Sequence, residues 1–116
     1  MRILITAVLA TLLLACADAD ERAVQSNVHL INKHFPVLTV YLNNIILAAQ
    51  HNEEDMVFDY CVTMVNYYQE NLQGRINTED GILEAAMDRY SGGDTVILDE
   101  MESVIRVLTI CLDHVR

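Results

Sequence analysis

Residues 55–74, DMVFDYCVTMVNYYQENLQG, and residues 94–116, DTVILDEMESVIRVLTICLDHVR, decide the fold. In the first stretch Met56-Val57, Cys61, Met64-Val65, Tyr68 and Leu72 recur at the 3.6-residue period of one helix face. Asp59, Thr63, Asn66 and Glu70 fall opposite, so this helix is half buried and half wet. The second stretch repeats the pattern with Ile97, Met101, Val104-Ile105, Leu108, Cys111-Leu112 and Val115. Each stretch carries one cysteine within its apolar stripe, and that pair is the candidate staple of a small helical domain.

Working back to the start, Met1-Arg2 is followed by apolar residues from Ile3 to Ala15 and then by Cys16-Ala17-Asp18-Ala19-Asp20. One basic residue, about a dozen apolar ones and small residues near the end form the layout of a secretory signal peptide over residues 1–19. Cleavage is expected after Ala17 or Ala19. The run is shorter than the ~20 apolar residues a membrane span needs. Leu13-Leu14-Ala15-Cys16 also resembles a bacterial lipoprotein box, but Leu14 is bulky there and one Arg makes a thin basic region. Removing the leader leaves Cys61 and Cys111 as an even pair with one possible connectivity. Two separate buried thiols are the alternative, one that an oxidising secretory compartment disfavours.

About 97 residues then remain, one domain with a modest core. A bridge closing the 50 positions between Cys61 and Cys111 would contribute about 4 kcal/mol by chain-entropy reasoning. Seventeen Asp and Glu stand against seven Lys and Arg, a formal net charge of −10. That balance disfavours nucleic acid and anionic membranes and suits a partner with a basic surface. Acidity also keeps an abundant secreted protein soluble.

Between leader and cysteine helices, Val24, Val28 and Ile31 predict a first helix over Asp20 to His34, which Phe35-Pro36 ends or kinks. Val37 to Gln50 follows with Leu38, Tyr41, Leu42, Ile45, Ile46 and Ala49, apolar on more than one side. It reads as the most buried helix, or as one that hides a second face against a partner or ligand. Asn52, followed by Glu53, Glu54 and Asp55, reads as the cap of the Cys61 helix, and Gly74 as its end. Thr78 reads as the cap of a helix beginning at Glu79, with Ile82, Leu83, Ala86, Met87 and Tyr90 inward; Ser91-Gly92-Gly93 ends it. Asp94 or Thr95 opens the last helix. No segment alternates like a strand. The fold class is all-α, a small bundle of four to five helices with one disulfide.

Chemistry-bearing constellations are absent. His29 and His34 lie five apart, His51 and His114 stand alone, and no pair has the spacing of a helical zinc site. Asn77 to Gly81 suggests a calcium loop, but a turn glycine at Gly81 puts Ile76 at the first ligand position. There is no G-x-S-x-G elbow, phosphate-cradling loop or Cys and His set for nucleophilic catalysis. The expectation is a binding protein and not an enzyme, without metal or cofactor.

Candidate partner-binding residues are Tyr60 and Tyr67, seven apart beside the buried stripe, with the acids Glu53, Glu54, Asp99 and Glu100. Tyr60 and Tyr67 either present hydroxyls to water at an interface or stand as boundary core residues. The acids are either an electrostatic footprint or solvated faces.

The leader, the acidic all-helical mature region and its sparse cysteines are similar to the anophensin- and albicin-type salivary proteins of anopheline mosquitoes. The stretches that carry the resemblance are His34-Phe35-Pro36 into Val37 to Leu47, the Cys61 helix with Asn66-Tyr67-Tyr68, and the Cys111 helix. The resemblance implies a secreted, extracellular protein of saliva that evades host defence without catalysis. Its implied partner is a host plasma protein, either the alternative-pathway convertase of complement or a contact-phase, kallikrein-kinin component. The alternative is a helical carrier of a small hydrophobic ligand, suggested by the apolar excess of Val37 to Ala49.

Overall fold

A computed structural model of the chain describes the backbone of residues 2–115 and the side chains of residues 20–115. The leader expected over residues 1–19 lies outside the described side chains. Four helices follow in order: α1 (Arg2–Gln50), α2 (Glu54–Asn71), α3 (Ile82–Ser91) and α4 (Thr95–Val115). The all-α bundle with one disulfide is as expected, at the lower end of the helix count.

The count falls because α1 runs unbroken through Pro36, where a break or kink is expected. The reason lies in where the proline points. Pro36 and Asn32 are both exposed, so the carbonyl that loses its partner at position 36 faces water. On the opposite side Ile31, Leu38, Leu42 and Ile45 are buried in continuous register, and their packing holds the helix across the gap. Thr39 Oγ1 also donates to the Phe35 carbonyl at 3.0 Å, meeting one of the groups in this turn.

α1 ends in a Schellman motif: Glu53 N–H donates to Ala48 O at 2.9 Å and Asn52 N–H to Ala49 O at 3.2 Å. Asn52 sits in the left-handed region at φ 56°. It therefore closes α1 and does not cap α2, contrary to the sequence expectation. Turned back by this three-residue connection, α2 runs antiparallel to the second half of α1. Cys61 and Cys111 are bridged with their Cα atoms 5.2 Å apart.

α2 ends at Asn71 with Leu72 as its C-cap, short of the expected end at Gly74, which instead sits at φ 81° in the turn that follows. The expected Thr78 cap is not formed, because Asn77 takes that role in a turn, accepting the Glu79 N–H on its Oδ1 at 2.9 Å. α3 starts three residues later than expected, after Gly81 at φ 84°, whose N–H donates to Glu84 Oε2 at 3.1 Å. Asp94 caps α4, its Oδ1 accepting the Val96 N–H at 2.9 Å.

The core forms two clusters along α1. Leu38, Leu42 and Ile45 pack with Cys61, Met64 and Val65 of α2, with its C-cap Leu72, and with Val104, Leu108 and Cys111 of α4. Val24 and Ile31 pack with Ala86 and Met87 of α3 and with Met101. α4 thus runs from the second cluster to the first, in the same direction as α1, and Phe35 packs against both. The second face of α1 is uncovered among the described residues, where Val40, Ile46 and Leu47 are exposed. No helix among the described residues is long and apolar enough to cross a membrane.

Pro36→Ala restores a backbone donor at a helix-interior position whose surroundings already accommodate the helix. It should stabilise the protein by about 1–3 kcal/mol in chemical denaturation; a loss of stability would mean that the chain needs a break there.

Candidate functional site

Between the two core clusters α1 and α4 stand apart, leaving an apolar cavity of about 200 Å³. Its origin is local. α2 ends at Asn71 and α3 begins only at Ile82, so a loop takes the place of a packed helix beside the middle of α4. Ile31, Leu38 and Phe35 of α1 form one wall, and Met101, Val104 and Leu108 of α4 another. Tyr68 of α2 and its C-cap Leu72 close it on one side, Leu83 and Met87 from α3, and Ile76 and Thr78 from the loop. Ile105 and Thr109 stand exposed at its edge, so the cavity opens to solvent there.

The loop that leaves this space is itself held by a residue without a sequence signal. Asn27 is 0% exposed on α1. Its Nδ2 donates to the Asn77 carbonyl at 2.7 Å and its Oδ1 accepts the Asn77 N–H at 2.9 Å. A side-chain amide thereby pairs with a backbone amide as one strand would with another. Both polar ends of a buried group are satisfied, at a net gain of about 1 kcal/mol per bond and a larger loss if one partner is removed. Earlier in α1, Glu21 makes a two-point contact with Arg89 of α3, at 2.6 and 3.0 Å. Those hydrogen bonds hold the Glu21 carboxyl below its ordinary range.

His34 is the one ionisable side chain buried in the cavity wall, at 5% exposure. Its Nδ1 lies 2.7 Å from the Tyr67 hydroxyl oxygen, with the rings edge to face at 5.6 Å. Tyr41 meets Tyr67 in the same manner at 5.9 Å. Burial, reinforced by the charges of Lys33, Arg75 and His29, lowers the His34 pKa from its ordinary value. Burial, and then Tyr41, raises that of Tyr67. Both groups are therefore neutral at pH 7, as their apolar surroundings require.

The residues chosen from sequence as partner contacts do not come together as one surface. Tyr67 carries its hydroxyl to His34, and Tyr67 and Tyr60 are both half buried against the core. Glu53 and Glu54 are exposed at the start of α2. Asp99 and Glu100 lie near the start of α4, some three turns from Cys111, roughly 18 Å along the helix axis. Because α2 and α4 run oppositely, the two acid pairs sit toward opposite ends of the bundle. Among the described residues no group of three or more His, Cys, Asp and Glu is arranged to hold a metal ion.

Comparison with protein-family models, curated proteins and solved structures finds no match.

The His34 environment sets a sign for pH dependence. A buried imidazole with a lowered pKa binds its proton more weakly folded than unfolded, so stability falls as pH drops through about 6.5 toward the folded value. The melting temperature should decline on acidification from pH 7.5 to 5.5, with a shallower decline in His34→Gln; equal slopes would remove His34 as the cause.

Proposed function

We propose that the chain is a non-enzymatic binding protein that carries a compact apolar molecule in the cavity between α1 and α4. One observation carries the reading: an apolar space of about 200 Å³ to which all four helices contribute walls. An apolar cavity of roughly 150 Å³ stays dry and accepts benzene, whereas sites for drug-sized ligands begin at roughly 300 Å³. The ligand class is thus a molecule of one or two small rings, or a short branched chain. The lining atoms lack packing partners on the cavity side, and a guest of that size would supply them. The leader-like start and the Cys61–Cys111 bridge support a place outside the cell, where such a carrier meets its cargo.

Thermal shift against a panel of molecules of benzene to naphthalene size tests the reading. At ten times its Kd a ligand stabilises by about 1.4 kcal/mol, a rise of about 6 °C in Tm for a domain this small. Val104→Phe places a ring in the cavity and should abolish that rise while the variant stays folded. If no member of the panel raises the wild-type Tm, the carrier reading fails.

A second reading, inhibition of host complement or contact activation, follows the resemblance to the anopheline salivary proteins and is favoured by one surface feature. Phe58 is 53% exposed and Met56 41% exposed, immediately after Glu53, Glu54 and Asp55. An aromatic anchor bordered by carboxylates suits an apolar pocket rimmed with basic side chains on a plasma protein. In alternative-pathway haemolysis and contact-activation assays the protein should inhibit one of the two, with Phe58→Ala at least about tenfold weaker. Failure in both assays sinks this reading and leaves the carrier untouched.

A further inference from the structure

The cavity wall contains a polar group whose valence the protein leaves open. His34 lines the cavity and Tyr67 does not, so the Nδ1 edge of the imidazole, bonded to Tyr67, is turned away from the cavity. Nε2 has no hydrogen-bond partner among the described residues, and no buried side-chain nitrogen or oxygen among them is left without one. Nε2 is therefore not sealed in the core. In a residue only 5% exposed, the open space it meets is the cavity. The other wall residues with polar side chains are half buried or exposed: Tyr68, Thr78, and Thr109, whose hydroxyl already donates to the Ile105 carbonyl.

The tautomer follows from ordinary donor and acceptor strengths. A phenol is the better donor of the pair and an imidazole nitrogen the better acceptor, so Tyr67 donates to Nδ1 and the ring proton resides on Nε2. The opposite assignment would leave the Tyr67 hydrogen and the Nε2 lone pair both unmatched. Burial keeps the ring neutral and so preserves this arrangement. The site thus offers one N–H donor at the wall of an otherwise apolar space that opens to solvent, and a guest that displaces water from it leaves the donor unmatched unless the guest brings an acceptor.

Resting on the carrier reading, we infer that the cavity selects compact apolar molecules bearing a hydrogen-bond acceptor oxygen, a ketone, ester or ether, which accepts from His34 Nε2–H. Tyr67 acts as a positioning residue that fixes the tautomer. A plain hydrocarbon of the same shape would fill the cavity but leave the donor unmatched. The recognition logic is that of small-ligand sites in general, apolar walls for affinity and one placed polar group for orientation.

Acetophenone and α-methylstyrene form a matched pair of probes, differing only by a carbonyl oxygen in place of a methylene. Water favours the ketone, so the informative quantity is the ratio of the two dissociation constants and its change on mutation. In His34→Phe the relative preference for acetophenone should fall roughly fivefold, the scale of one net hydrogen bond. In wild-type protein, ¹⁵N NMR should report the proton on Nε2 in the empty state and a shift of that nitrogen with acetophenone but not with α-methylstyrene. Tyr67→Phe should give mixed tautomer signals and an intermediate ratio. The wild-type NMR measurement stands even if His34→Phe fails to fold. An unchanged ratio in a folded variant, or equal Nε2 shifts from both probes, overturns the acceptor inference while the cavity remains a binding site. If neither probe binds, the acceptor inference falls, and the benzene-to-naphthalene panel decides the carrier reading separately.

Discussion

α1 has to remain helical across Pro36, and the rest of the bundle depends on that continuity. Ile31 and Leu38 lie on either side of the proline and belong to different core clusters. A hinge between them would let the two halves of the core drift apart. The helix survives because the lost hydrogen bond lies on the wet face, where water replaces it, while the dry face is packed without interruption. One long helix then serves as a spine, with α2 laid back along its second half and α3 packed on its first.

The cavity follows from that arrangement. α4 is long enough to bridge both clusters, but α2 and α3 together do not cover its middle, and the loop between them contributes Ile76 and Thr78 where a helix would contribute a full stripe. The loop is kept in place by the buried Asn27 amide and its two bonds to Asn77. A clamp of this kind fixes the backbone without filling volume, so the gap persists. The disulfide acts at the other end of the first cluster, joining α2 to α4 near the end of α4. Packed into the second cluster through Met101 and bridged at Cys111, α4 forms one wall of a small apolar chamber.

Periodicity made the inner faces of α2, α3 and α4 legible, and the turn chemistry of Ser91-Gly92-Gly93 and Asp94 located two helix ends, while Gly74 marks the turn just beyond α2. It misled at three places for local reasons. Pro36 looked like a stop because its exposure is invisible in one dimension. Asn52 looked like a cap, although its short polar side chain serves equally well in the left-handed turn that closes α1. Thr78 preceded acids in the usual way for a helix start, but the backbone pairing of Asn77 with Asn27, fifty positions away, claimed that segment first. The candidate contact tyrosine Tyr67 was placed correctly beside the stripe; its hydroxyl partner, His34, lies 33 positions off and has no sequence signal.

By itself the sequence determined the helical class, the pairing of Cys61 with Cys111, the acidic balance and the absence of recognisable catalytic motifs. Each is a property of composition or of spacing within one helix. Only the tertiary structure decided that α1 is continuous, that a space remains between α1 and α4, and that His34 faces it with Tyr67 behind. Those features depend on which residues far apart in the chain meet and which fail to. A helical period tells which face is apolar, but not whether the opposing faces are long enough to fill the space between them.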